Sequence, residues 1–105
     1  MTNQQHSYRT EFPEFILDVE IPAEFKDVSW KNDVCPSFLS LAHQAYVYVD
    51  YAQQSMREIP FGPRFIVGLA TPDGQHPADS AESFLFASSD WSEVLSYLET
   101  RRNSL

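Results

Sequence analysis

Residues 90–102, DWSEVLSYLETRR, carry the clearest helical spacing in the chain. Trp91, Val94, Leu95 and Leu98 recur at i, i+3, i+4 and i+7, which places them on one stripe of a helix. Asp90 precedes the run as an N-cap, and Glu93 stands three residues on, the spacing of a capping box. Arg101 and Arg102 fall in the last turn, where the helix dipole favours positive charge. A helix over 90–102 is roughly 20 Å long. It covers one face of a small sheet and leaves the other to something else. Strand patterns fill the chain before it, so the fold class is α+β: an antiparallel β-meander of four to five strands with one C-terminal amphipathic helix packed on one face.

Within FILDVEIP, Phe15, Leu17, Val19 and Ile21 alternate with Asp18 and Glu20. Period two predicts a half-buried strand, which Pro22 ends. Residues 23–36 read as a connecting loop whose Phe25 and Trp30 tuck into the core edge. In WKNDVCPSF, Asn32 and Asp33 suit a turn, and Pro36 opens an edge strand. SFLSLAHQAYVYVDYA predicts a hairpin, with strands over 37–42 and 45–52 and a turn at His43-Gln44. Phe38, Leu41, Ala42 and Ala45 also fit helical spacing, so 38–45 stays open between strand and helix. QQSMREIPFGP (53–63) is a loop, RFIVGLAT a strand, TPDGQHPADS a loop with a tight turn at Pro72-Asp73-Gly74, and ESFLFAS a short strand. Residues 1–11 read as a flexible arm and 12–105 as a single domain.

Fifteen acidic and seven basic residues give a net charge of −8. Phosphate backbones repel such a surface, so direct nucleic-acid binding is not expected. An acidic nucleic-acid mimic is a weaker alternative. No apolar run reaches the length of a membrane span. MTNQQHSYRT is too polar for a secretory signal, and one cysteine forms no internal disulfide, so the cytoplasm is the expected location. Three glycines build no phosphate-cradling loop, and no cofactor is expected.

With the helix on one face, Leu17, Val19, Val47, Val49, Phe65, Val67 and Leu69 should meet Trp91, Leu95 and Leu98. The opposite face then carries Ile16, Tyr46, Tyr48 and Ile66 among Asp18, Glu20 and Asp50. A tyrosine cluster on an open sheet face has the composition of an interface. The expected function is a non-enzymatic interaction or regulatory/inhibitor module that uses this face toward a partner protein or a second copy. The alternative is a small-molecule-binding or minor enzymatic domain. Its pocket would lie between the 30–38 and 57–64 loops, at Trp30, Asp33, Cys35, Arg57 and Arg64, where the arginines suit a small anion.

Two constellations invite chemistry. Cys35 with His43 has nucleophile and base types, but no enzyme signature surrounds the cysteine, and a lone cysteine is commonly a small buried hydrophobe. Asp73, His76 and Asp79 offer oxygen and nitrogen ligands three apart, but without zinc or calcium spacing, so no metal is expected.

Trp30, Asn32, Asp33, Cys35, Pro36, Ser37 and Phe38, then Val49-Asp50-Tyr51, Arg57-Glu58, Pro63-Arg64-Phe65 and Asp90-Trp91, form a pattern across most of residues 28–98. It resembles a pattern in small uncharacterised bacterial proteins. The resemblance implies a bacterial, cytoplasmic, single-domain protein and brings neither an activity nor a functional residue.

Overall fold

A computed structural model of the chain describes residues 7–30, 33–70 and 84–104. The elements in order are α1 (Tyr8–Glu11), β1 (Lys26–Asp27), β2 (Ser37–Ser40), β3 (Ala45–Val49), a 3-10 turn (Gln54–Met56), β4 (Phe65–Leu69), β5 (Phe84–Ser88) and α2 (Trp91–Ser104). The strands form one antiparallel meander in the order β1-β2-β3-β4-β5. With α2 packed on the sheet, the fold is α+β, as the spacing predicts.

The choice over 38–45 falls to the hairpin. The turn Leu41–Gln44 joins β2 to β3 without glycine, and Gln44 takes the left-handed conformation instead (φ 51°). Two contacts hold it there. The Ser40 hydroxyl accepts the His43 N–H at 3.2 Å, and the Gln44 carbonyl accepts the Ala70 N–H at 3.1 Å. Pro36 opens an inner strand rather than an edge strand, because β1 pairs with the outer side of β2. Its carbonyl accepts the Val49 N–H at 3.0 Å.

The strand expected over 15–21 does not form. β1 is Lys26–Asp27, and the backbone before it is irregular. The alternation still appears in burial: Phe15 is buried, Leu17, Val19 and Ile21 are half-buried, and Ile16, Asp18 and Glu20 are exposed. The segment packs on the same sheet face as α2. Phe12, Phe15 and Phe25 join Val47, Val49, Phe65, Val67, Val94 and Leu98 in one core. The Glu20 carbonyl accepts the Trp91 Nε1–H at 3.2 Å, and Arg102 pairs with Glu24. Helix and irregular segment therefore share a face that the helix alone is too narrow to cover.

α2 is turned slightly from the expected stripe. Val94 and Leu98 are buried, but Leu95 is 37% exposed, and Tyr97 stacks on Phe86 of β5 with ring centres 4.7 Å apart. The cap differs in detail as well. Asp90 Oδ1 accepts the Ser92 N–H at 2.9 Å, while Glu93 accepts the hydroxyl proton of Ser88 at 2.6 Å instead of closing a box onto Asp90. At the other end, Arg101 Nε donates to the His43 carbonyl at 2.8 Å and ties the helix to the β2–β3 turn.

The flexible arm expected over 1–11 is anchored at its end. Tyr8 N–H donates to Asp27 Oδ2 at 2.9 Å, and the Tyr8 ring meets Phe15 edge-on. Residues 1–6 lie outside the described residues, as do the expected turn at Pro72-Asp73-Gly74 and the Asp73, His76, Asp79 set. No described helix is long and apolar enough to cross a membrane.

Candidate functional site

The second sheet face is partly closed. Leu39, Tyr46 and Ala70 form a small buried cluster against Val28 and Tyr48. Tyr46 is only 4% exposed. It stands opposite Gly68 in the register. Tyr46 and Tyr48, two apart on one strand, stack at 6.2 Å. The open four-residue face read from the alternation is therefore corrected. Tyr46 is core, Ile16 (79% exposed) sits on the irregular segment rather than the sheet, and Tyr48 and Ile66 remain on the sheet face beside accessible space.

That space is a hollow of about 150 Å3 lined by Val34, Cys35, Tyr48, Asp50, Glu58, Ile59, Gly62, Pro63, Arg64 and Ile66. It lies between the 33–35 bend and the 58–64 loop, where the sequence placed its alternative pocket. Cys35 and Arg64 of the expected pocket meet Tyr48 and Ile66 of the expected face in it. Trp30 and Arg57 are not in its lining. Asp33 is outside it too but stands near enough to act electrostatically on Cys35 and Tyr48.

The bend forms because the Asp33 N–H returns to the Trp30 carbonyl at 2.9 Å. The loop turns at Gly62, whose N–H donates to the Ile59 carbonyl at 3.1 Å. A Cβ at Gly62 would stand 3.1 Å from Ile59 Cγ2, so glycine admits this close turn. Pro60 and Pro63 limit the backbone on either side of Phe61. Arg64 anchors the loop's end. Its Nε donates to the Asp50 carbonyl at 2.9 Å, its two Nη groups hold the Asp18 carboxylate, and its guanidinium lies 4.8 Å from the Phe65 ring centre. Arg57 Nε donates to the Tyr51 carbonyl at 2.6 Å and Nη2 to the Ala52 carbonyl at 3.2 Å. Both arginines thus serve as braces.

Sequence reasoning missed the most exposed apolar residues of this region. Phe61 is 92% exposed, Ile59 69% and Val34 54%. The signal was present: two large apolar side chains alternate with Pro60 and Gly62 in a stretch otherwise read only as punctuation. The same connection lines a second, shallower hollow of about 380 Å3 with Ile16 and Met56.

Asp50 and Glu58 line the 150 Å3 hollow. Burial raises the Asp50 carboxyl above its ordinary value, against opposing pulls from the Tyr51 N–H, Arg57 and Arg64. Burial likewise raises Asp33 and lifts Tyr48 to about 12. Arg64 holds Asp18 below the usual carboxylate range by hydrogen bonding.

Cys35 is buried, and burial first, then Asp50 and Asp33, pushes its thiol up. It stays a thiol at neutral pH, a poor nucleophile. His43 belongs to another constellation. Its Nδ1 lies 2.7 Å from Ser40 Oγ, and its ring centre is 4.9 Å from that of Phe25. Ser40 is 1% and His43 4% exposed, so this serine–histidine pair braces the turn without access for a substrate. Among the described residues no group of three or more His, Cys, Asp or Glu is placed to hold a metal ion. Compared with known proteins, the chain matches no family model, no curated protein and no solved structure.

Proposed function

We propose that this chain is a small non-enzymatic protein-binding module, regulatory or inhibitory toward its partner, that docks through the 58–64 loop and the 33–35 bend. The observation that carries this is Phe61, 92% exposed in a turn held by Pro60 and Gly62, beside a hollow with apolar walls. An exposed phenylalanine on a restrained loop loses little conformational freedom on binding. An apolar cluster bordering a small pocket, with polar groups around it, is the usual anatomy of a protein–protein hot spot. The single cysteine suits a reducing, cytoplasmic setting.

A small-molecule site in the same hollow is the second reading. The cavity itself favours it, but about 150 Å3 is well below the roughly 300–1,000 Å3 of drug-sized ligand sites.

A photo-crosslinking residue placed at Phe61 in the source cells tests the proposal, with Glu99 on the exposed side of α2 as control. A discrete adduct at position 61 and none at 99 is the expected result. No adduct at 61, or the same adducts at both positions, overturns the docking surface. The adduct's mass separates a second copy of the chain from a different protein.

A further inference from the structure

We infer that the 150 Å3 hollow receives one arginine side chain from a basic segment of a partner protein. This rests on the docking reading above and names what that surface recognises. Size comes first. About 150 Å3 is the space in which a protein cavity holds a single benzene-sized group, so the hollow takes one side chain rather than a folded surface.

The walls come next. Val34, Ile59, Pro63 and Ile66 offer apolar contact for a methylene stem, and the Tyr48 ring offers a π surface for a guanidinium plane.

Charge decides the occupant. Asp50 and Glu58 line the hollow, and Asp33 stands at its border. Among the described residues the one cation in the lining, Arg64, is bound to the Asp18 carboxylate and the Asp50 carbonyl, while Arg57 is turned to two backbone carbonyls. Among the described residues the carboxylates lining the hollow outnumber its cation. The net −8 of the chain draws basic partners over longer range and opposes pairing of two copies. Arginine fits better than lysine, since its planar fork can bond a carboxylate and stack on a tyrosine at once.

The test is an NMR titration of the isotope-labelled full chain with acetyl-Gly-Ala-Arg-Ala-Gly-amide and with lysine, citrulline and leucine counterparts. Citrulline keeps the shape of arginine and removes its charge. The arginine peptide is expected to shift the amides of Tyr48, Gly62 and Ile66 and to bind about tenfold or more tightly than the other three. Added salt should weaken it. Asp50→Asn, which retains the oxygen that accepts the Tyr51 N–H, and the exposed Glu58→Gln should each weaken it as well. Equal binding of the lysine, citrulline or leucine peptide overturns the inference, and so do shifts confined to other surfaces. If position 61 crosslinks a partner while no arginine peptide binds, the docking surface stands and this inference alone falls. If the arginine peptide binds as described and position 61 gives no adduct, the pocket assignment stands and the wider docking surface falls.

Discussion

Two aromatic stretches of this protein invert their expected roles. Tyr46 and Tyr48 lie on a strand whose alternation suggests an exposed face, yet Tyr46 is 4% exposed and packs with Leu39 and Ala70. Phe61 lies in a stretch of prolines and glycine that suggests only a connection, yet it is 92% exposed. The strand side chains are positioned by pairing on both sides, Tyr48 against Ser37 and Ile66, Tyr46 against Leu39 and Gly68. Tyr46 thereby serves stability, while Tyr48 also lines the hollow. The loop is free of the ladder, so its apolar groups remain available to a partner. An aromatic residue therefore tells little about function until the backbone that carries it is known.

The contrast is sharpened by truncating each aromatic. Tyr46→Ala should cost about 3 kcal/mol of unfolding free energy, as truncation of a buried aromatic does. Phe61→Ala should stay within about 0.5 kcal/mol, as exposed positions do. Denaturant titration of both variants checks this, and equal losses would erase the distinction.

Arg64→Ala should fall between, at about 2 kcal/mol. It removes hydrogen bonds from a charged donor and leaves the loop without its brace to Asp50 and Asp18. Faster amide exchange at Ile59, Phe61 and Gly62, with β3 still protected, would show that the loop is held by this residue.

The smallest effect concerns pH. Burial, and secondarily Arg101, lowers the His43 pKa below its ordinary 6.5. The unfolded chain then binds the extra proton, so the contribution of His43 is complete above pH 6.5 and is lost as pH falls below it. Melting curves between neutral and mildly acid pH should show a shallower slope in His43→Gln than in the wild type. An unchanged slope would assign the acid sensitivity to other groups.

Much of the fold was legible because side-chain period reports which way residues face. The meander after residue 37 and the terminal helix follow from it. The run 15–21 shows the limit. Its alternation is as clean as that of 45–51 and its burial alternates as expected, but it joins no ladder. Period two encodes an extended chain lying on a core, and whether that chain pairs depends on which edge is free. Here the partner of β2 is Lys26–Asp27.

The site was legible in halves. The loops place Cys35 and Arg64 near this hollow, and the strand face places Tyr48 and Ile66 there. That all four meet was hidden, because no local pattern reports that the second sheet face opens between two loops. Ile59, Phe61 and Val34 were overlooked because apolar residues between turn formers have no period to mark them.

The most direct test of the central claim is affinity capture from the source lysate, run side by side for wild type, the Ile59→Ser/Phe61→Ser double variant and Ile16→Ser, with each melting temperature measured. The loop variant should keep its melting temperature and lose a protein that the other two retain. Retention of the same protein by the loop variant, or its loss in Ile16→Ser alone, would contradict the docking surface assigned here.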